Sequence, residues 1–408
     1  MYVGVAKMSM QIGIVGKPNV GKSTFFNAAT NAHAEIANYP FTTIDANHGV
    51  MYVRKPCPCR DFNVKCTPHN SECVNGTRYV PIEAIDVAGL VPGASEGKGL
   101  GNKFLDDLRQ AHALIHIVDA SGSTDGEGNP CGLGKYDPLK DVDFLEQEIV
   151  YWLNGIIKKS WKSIARKSEL EGKKIDGMLS EKLTGLGIRE EHIHNAIRKL
   201  NLNTDKPSKW TDDEILKLSE YIRDTSKPMI IAFNKSDIAP DDLMVKSEEI
   251  MEKGYTVVKA SAEAELALNN ASEKGLIDYN PGSSDFKILR ESELSGEQIK
   301  ALEYIRTYVL DKYDSTGIQK CIEESVKMLN LIVVYPVEDD THYTDKEDRI
   351  LPDAYLMPRG STARDLAYKV HTDIGDHFIR GIDARTHRII GSDHELKDGD
   401  VIRIVTDA

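Results

Sequence analysis

Eight consecutive residues, Gly16-Lys17-Pro18-Asn19-Val20-Gly21-Lys22-Ser23, fit the pattern GxxxxGK[ST]. They follow a short apolar run, Gln11–Val15, and open a helical stretch, Lys22–Asn31. A strand, a glycine-rich turn and a helix in that order begin an α/β domain around a phosphate-binding loop. The glycines let successive backbone N–H groups point inward around phosphate oxygens. Lys22 brings positive charge to the β- and γ-oxygens, and the hydroxyl of Ser23 is a ligand for Mg²⁺. The expected cradle is therefore Gly16, Lys17, Pro18, Asn19, Val20, Gly21, Lys22, Ser23 and Thr24. Alone, it marks a nucleoside triphosphatase or a kinase.

Three later motifs narrow this. Asp86-Val87-Ala88-Gly89 ends the apolar run Val80–Ile85 in a DxxG pattern. Asp86 would hold Mg²⁺ through a water, and the N–H of Gly89 would meet a γ-phosphate. Asn234-Lys235-Ser236-Asp237 follows the run Pro228–Phe233. The Asp237 carboxylate can accept from the ring N–H and exocyclic amine of guanine. Adenine offers neither donor there, and a site left with an unpaired carboxylate rejects it by ~10⁴-fold. Ser261-Ala262-Glu263, after Tyr255–Lys259, is placed for a backbone N–H to reach the guanine O6. Each motif ends a predicted strand, where ligands bind in open α/β sheets.

With Gly49–Val53 and Ala113–Val118, these runs suit a buried parallel sheet. The stretch from Asp119 to Pro228 is far longer than one crossover needs. Its helical spacings at Val142–Ile157, Glu190–Leu200 and Asp212–Arg223 read as a helical insertion, Gly134–Ser226. Helices are also expected at Ser295–Lys312, with a Ser295/Gln298 capping box, and at Ile318–Leu329. The texture then changes to strands at Leu331–Val337, Ala354–Met357, Phe378–Ile382 and Val401–Val405, with one helix at Ser361–His371. The expected organisation is an extension, 1–9; a nucleotide-binding domain, 10–330, with an insertion at about 134–226; and an α+β domain, 331–408.

Composition excludes some classes. No apolar run approaches the ~20 residues of a membrane span, and the N-terminus lacks a signal-peptide pattern. A cytoplasmic protein without membrane association is expected. The net charge of −13 argues against sequence-blind binding to bare nucleic acid, and no DNA partner is expected. Seven basic residues between Lys158 and Lys174 read first as a solvated helix face, with local RNA contact as the alternative. His116, within an apolar run, reads as a satisfied core histidine, and Trp152 and Trp161 as packing in the insertion.

Four of the six cysteines crowd together as Cys57, Cys59, Cys66 and Cys73, with His69 among them. The spacing C-x-C-x₆-C-x₂-H-x₃-C is dense enough for a tetrahedral Zn²⁺ site, in a loop without its own core. It matches no common zinc module closely, so reduced thiols and disulfides stay open. Cys131 and Cys321 read as isolated structural residues.

Taken together, the chain resembles the Obg superfamily of translation-factor-class GTPases, and its YchF branch most. The matching stretches are the phosphate loop, Asn38-Tyr39-Pro40-Phe41-Thr42-Thr43, Asp86 through Ala94, and Gly97-Lys98-Gly99-Leu100-Gly101-Asn102-Lys103-Phe104-Leu105. The segment from Leu351 through Gly360-Ser361-Thr362 to Leu396-Lys397-Asp398-Gly399-Asp400-Val401 resembles a ubiquitin-like TGS domain. The resemblance implies a Ras-like P-loop domain with a helical insertion, plus a C-terminal α+β (β-grasp) TGS domain. It implies that Thr43 is the switch residue whose hydroxyl reaches Mg²⁺, with Thr42 as the fallback, and a ribosome or ribosomal RNA partner. Many YchF-like proteins carry glutamate at the last NKxD position and are thought to prefer ATP; this sequence keeps Asp237. The expected function is a slow GTP-hydrolysing switch, with two alternatives: a YchF-type ATPase, or a redox- or metal-gated binding module. Where many GTPases place a water-orienting glutamine, this chain has Leu90, so intrinsic turnover should be on the order of 10⁻³ s⁻¹ or below. Asn19 could assist by helping to bind K⁺ between the phosphates, or it could merely shape the loop. The expected catalytic set is Lys22, Thr43, Gly89 and Asn19. Ser23, Thr43 and Asp86 are the expected Mg²⁺ ligands.

Overall fold

The computed structural model describes residues 10–30, 47–88 and 101–407. Its chain separates into two compact units.

The first unit includes residues 11–28, 85–88 and 101–321. Its centre is a run of parallel strands in the order Gln11–Val15, Ala113–Asp119, Met229–Asn234, Thr256–Lys259. The register pairs Ile14 with Ile115, Val118 with Phe233, and Ala232 with Val258. Every residue of Ala113–Asp119 and Met229–Asn234 is buried. That explains why both read as unbroken apolar runs instead of alternating ones. Val87 donates to the Ile14 carbonyl at 3.0 Å, which brings the end of strand Thr77–Asp86 alongside the first strand.

The insertion is helical. A 33-residue helix, Leu139–Glu171, ends at Gly172 in the left-handed region and is followed by helices Ile175–Leu183, Glu190–Lys199 and Asp212–Ser226. Thr211 and Glu214 form a reciprocal capping box at the start of the last. Trp161 and Trp210 stack with centroids 5.0 Å apart inside one apolar cluster that runs from Val15 and Leu114 to Trp152, Leu179 and Ile193. The tryptophans are core, as their helical spacing suggested. The stretch expected as one helix from Ser295 is instead helix Gly296–Ile305, a π-helical turn at Arg306–Leu310, and a final turn Asp311–Tyr313. Ser295 and Gln298 do form the capping box.

The second unit joins residues 47–84 to residues 322–407. Its C-terminal sheet has the order Tyr355–Pro358, Leu331–Val337, Val401–Thr406, Phe378–Asp383, Arg388–Ile390. Leu331–Val337 and Val401–Thr406 run parallel at its centre, with antiparallel neighbours outside. Helix Ala363–Val370, capped by Thr362 and Asp365, contributes Ala363 and Leu366 to this domain's core. The sequence reading drew a boundary at 330/331, whereas here residues 47–84 share a unit with the C-terminal sheet. The reason is long-range: the backbone of Thr67 and His69 donates to the carbonyls of Ile350 and Pro352, and the Asn70 side chain pairs with the Ala354 backbone. Strand Glu72–Val74, absent from the sequence reading, pairs antiparallel with Thr77–Asp86 through Asn75-Gly76, both at positive φ. Asn-Gly in that conformation is the favoured two-residue hairpin turn. Among the described residues no helix is long and apolar enough to cross a membrane.

Two buried basic groups in the first unit show how it is held. Lys227 donates to the carbonyls of Leu108, Arg109 and Ala111, capping helix Gly101–Gln110, and burial lowers its amine to about 8. His116 departs from a satisfied core histidine, because its Nδ1 has no hydrogen-bond partner among the described residues. Burial, with the charges of Arg223 and Lys17, pushes it down to about 3 from 6.5. The folded state therefore holds His116 neutral where the unfolded chain takes up a proton. Stability is full above the unfolded value and is lost as pH falls from about 6.5 toward 3, by up to ~1.4 kcal/mol per pH unit. In urea unfolding at pH 7.5 and pH 5, the wild type should lose about 2 kcal/mol more than a His116→Leu variant does. Equal losses would show that His116 is not protonated on unfolding.

Candidate functional site

The loops after the parallel strands converge on the phosphate-loop sequence. Gly16 packs where a Cβ would lie 2.8 Å from the Ile117 carbonyl oxygen. Gly21 has φ +92, and a Cβ there would overlap the Asn234 side-chain amide. Both positions need glycine, one for space and one for space and backbone conformation. Asn19 sits at φ 64 and donates through Nδ2 to the Gly128 carbonyl at 2.9 Å. Helix Lys22–Thr30 starts here, so its unpaired N–H groups and positive dipole end lie at the loop. Lys22 and Asp86 form a close ion pair, with side chains 13% and 19% exposed. The loop's principal cation and the carboxylate from the DxxG strand thus face one point. Ser23 is exposed at the first turn of the helix. The serine hydroxyl and the Asp86 carboxylate are hard oxygen donors of the kind Mg²⁺ takes.

The residues expected to read the base are tied to this loop. Asn234 Nδ2 donates to the Val20 carbonyl at 2.8 Å, and its Oδ1 accepts from the Ala262 N–H at 3.0 Å. One side chain thereby links three motifs. Lys235, at φ 59, donates to the Asn19 carbonyl at 3.0 Å, to Asp119 at 2.9 Å and to the Ser123 hydroxyl at 3.3 Å. Ser236 N–H donates to Ala260, and Ser261 N–H to Thr316. Asp237 is half-buried, with the Tyr304 hydroxyl 3.5 Å from its carboxylate. The Tyr313 hydroxyl donates to the Ser236 carbonyl at 3.0 Å.

Sequence reasoning missed Asp119, the hub of this arrangement. It accepts from the hydroxyls of Ser121, Ser123 and Thr124 and from Lys235. Burial alone would raise its carboxyl, but the Ser121 hydroxyl and the Lys235 ammonium hold it below the usual carboxylate range. The signal was present: an aspartate ends the strand Ala113–Asp119 and meets Ser121, Ser123 and Thr124. Lys17 also behaves unexpectedly. Its side chain is buried, pairs with Asp141 at 2.8 Å, donates to the Thr124 carbonyl and lies 3.9 Å from the Tyr136 ring centroid. What Lys17 offers a phosphate is its backbone N–H, since its ammonium is committed to Asp141. Burial raises the Asp141 carboxyl to about 6 against the pull of Lys17. Thr43, Gly89 and Leu90 lie outside the described residues.

The second unit brings together Cys57, Cys59, Cys66 and Cys73, whose sulfurs all lie within 4.8 Å of one another. None is in a disulfide. His69 is not among them; its Nδ1 lies 3.3 Å from Asp353. The hydrogen bond with Cys66, and also the charge of Arg78, pull the Cys57 thiol down to about 4.

Comparison with known proteins agrees with this geometry. Residues 11–151 match the family described as 50S ribosome-binding GTPase, residues 232–339 the Obg-like GTPase YGR210-like, G4 motif-containing domain, and residues 346–406 the TGS domain. An uncharacterized GTP-binding protein of Methanocaldococcus jannaschii is 50% identical over 97% of this chain and 99% of its own. The chain belongs to the YchF branch of the Obg-family GTPases. It is accordingly a P-loop nucleoside triphosphatase of α/β fold with a C-terminal TGS domain. The crystal structure of a GTP binding protein from Pyrococcus horikoshii covers 97% of this chain and all of its own, with TM-score 0.76 and 41% identity. The ribosome-binding ATPase YchF of Buchnera aphidicola is 29% identical over 98% of this chain and 99% of its own. Relatives in this branch thus carry both nucleotide names.

Proposed function

We propose that this YchF-branch protein is a cytoplasmic GTP-driven switch that hydrolyses GTP slowly and acts at the ribosome. The observation that carries the guanine reading is Asp237, on a loop whose preceding asparagine is anchored to both Val20 and Ala262. A carboxylate held there pairs with guanine's ring N–H and amine and is left unpaired by adenine. Relatives at 50% and 41% identity are named as GTP-binding, whereas those named as ATPases stand at 27% to 30%. Those ATPase names support the second reading, an ATPase, and give it a definite test.

In this reading the backbone N–H groups from Gly16 to Ser23 hold the phosphates, with Thr24 on the next turn. Lys22 leaves Asp86 for the β- and γ-oxygens. Ser23, Thr43 and, through water, Asp86 would hold Mg²⁺, which neutralises charge building on those oxygens. Gly89 would donate to the γ-phosphate, so that Thr43 and the loop after Gly89 order with GTP and relax with GDP. Leu90 cannot orient the attacking water. Asn19, whose amide nitrogen is already bonded to Gly128, has Oδ1 left as an oxygen donor of the type K⁺ takes. The exposed basic residues from Lys158 to Lys174 support ribosomal RNA contact, although Lys158 pairs with Asp212 and Lys173 with Glu171.

Titration of GTP, GDP and ATP with Mg²⁺ should give at least roughly a hundredfold preference for GTP over ATP, lost in Asp237→Asn. Equal binding of ATP would put the ATPase reading first. GTP turnover, measured with and without ribosomes in Na⁺ and in K⁺ buffers, should be near 10⁻³ s⁻¹ or below alone and rise at least about tenfold with ribosomes and K⁺. A rate unmoved by ribosomes would remove them as the partner, and one unmoved by K⁺ would remove Asn19 from catalysis.

A further inference from the structure

The cysteine cluster has the geometry of an all-sulfur tetrahedral site. Four thiolates at about 2.3 Å from Zn²⁺ stand about 3.8 Å from one another. Cys57 and Cys66 are 3.9 Å apart here, and so are Cys59 and Cys73. A disulfide would need about 2.05 Å. The four residues come from different local structures. Cys57 and Cys59 flank the start of the turn Pro58–Arg60, Cys66 lies in the following connector, and Cys73 is in strand Glu72–Val74. Residues Arg60, Asp61, Asn63, Lys65 and Thr67 between them are exposed, so the segment has little apolar packing of its own.

A second observation is independent of the sulfurs. Arg78 is fully buried and stands directly opposite Cys73 in the hairpin, which puts both side chains on one face. Among the described residues its guanidinium donates to neutral atoms only, the Ser71 hydroxyl at 3.0 Å and the Leu351 carbonyl at 2.5 Å. Its Nε has no hydrogen-bond partner among the described residues, and its guanidinium carbon lies 5.4 Å from the Tyr335 ring centroid. A buried cation without an anion is costly. Zn²⁺ with four thiolates carries net charge −2, and Arg78 is the cation that offsets part of it.

We infer that Cys57, Cys59, Cys66 and Cys73 bind one structural Zn²⁺, with Arg78 as the charge-balancing residue beside it, and that this ion fixes the loop on which the C-terminal domain rests. Four sulfurs and no oxygen select a soft metal over Mg²⁺ or Ca²⁺, and a closed set of four leaves no position for catalysis. The residues between Cys66 and Cys73 carry the consequence. Thr67 N–H donates to Ile350, and Ile350 N–H to the Thr67 hydroxyl. His69 N–H donates to Pro352, and the Asn70 side chain closes a two-way pair with the Ala354 backbone. Phe62 stacks on Tyr343 with centroids 4.0 Å apart. The metal thus organises one short loop, and that loop holds 343–354, which leads into the strand Tyr355–Pro358.

The test uses the full chain, produced with zinc in the medium and purified without chelator. Metal analysis should find one Zn per chain, retained by Cys131→Ser, whose thiol is exposed and outside the cluster. Cys59→Ser and Cys66→Ser should lose it. Arg78→Met should weaken zinc binding by about tenfold to a hundredfold, and Arg78→Lys should recover most of that. To keep the test independent of how the cysteine variants fold, the wild type is also stripped by a chelator under native conditions. Hydrogen exchange at Ile350 and Ala354 should then accelerate at least about tenfold and slow again when Zn²⁺ alone is returned. Purified protein with substoichiometric zinc and four native thiols open to titration would overturn the site. Full zinc with unchanged exchange at 350–354 would overturn its role in holding the C-terminal domain. Neither outcome depends on which nucleotide the protein binds.

Discussion

The nucleotide end of this protein depends on one neutral side chain. The Asn234 amide donates to the phosphate loop at Val20 and accepts from Ala262 at the start of helix Ala262–Glu273, and it sits so close to Gly21 that no side chain fits there. Remove it and two buried backbone groups lose their partner at once, while the three loops lose their common spacing. A hydrogen bond of this type contributes about 1 kcal/mol net, but leaving a buried donor and acceptor unmade costs about 1–3 kcal/mol each. The penalty for absence, more than the gain from presence, makes the arrangement well defined.

Charge is distributed around that amide so that each basic residue has one task. Lys17 is committed to Asp141, and Lys235 to Asp119 and the Asn19 carbonyl, which leaves Lys22 as the cation facing Asp86. Lys17 in the phosphate loop and Lys235 after strand Met229–Asn234 are thus spent on holding the fold. Asp119 matters because its three hydroxyl donors pre-form the carboxylate that positions Lys235. The phosphate loop is held from behind by ion pairs and from the side by Asn234, so little reorganisation remains for the ligand to drive.

What was legible in the sequence follows the range of the interactions. The strands Gln11–Val15, Ala113–Asp119 and Met229–Asn234 are short apolar runs because they are buried on both faces, and their ends coincide with the motifs. Ser295/Gln298 and Thr362/Asp365 are local capping pairs with local signatures. The burial of Lys17 against Asp141, over a hundred residues away, has no local signature. Nor has the union of the cysteine segment with the C-terminal sheet, which rests on pairs about 280 residues apart such as Asn70 with Ala354. The Asn75-Gly76 hairpin could have been read, but its first strand is three residues long, too short to show a period. The π-helical turn at Arg306–Leu310 interrupts a stretch whose apolar spacing reads as one helix.

The most direct test of the central claim compares Asn234→Ala with Asp237→Asn for GTP, ITP and ATP by calorimetry. If Asn234 joins the phosphate cradle to the base loop, its loss should weaken all three ligands together, by roughly tenfold or more. Asp237→Asn should instead weaken GTP most, ITP less because it keeps the ring N–H and lacks the amine, and ATP not at all. An Asn234→Ala variant that binds ATP like the wild type, losing affinity only for GTP and ITP, would contradict the account. The asparagine would then belong to base reading, and the phosphate loop would stand without it.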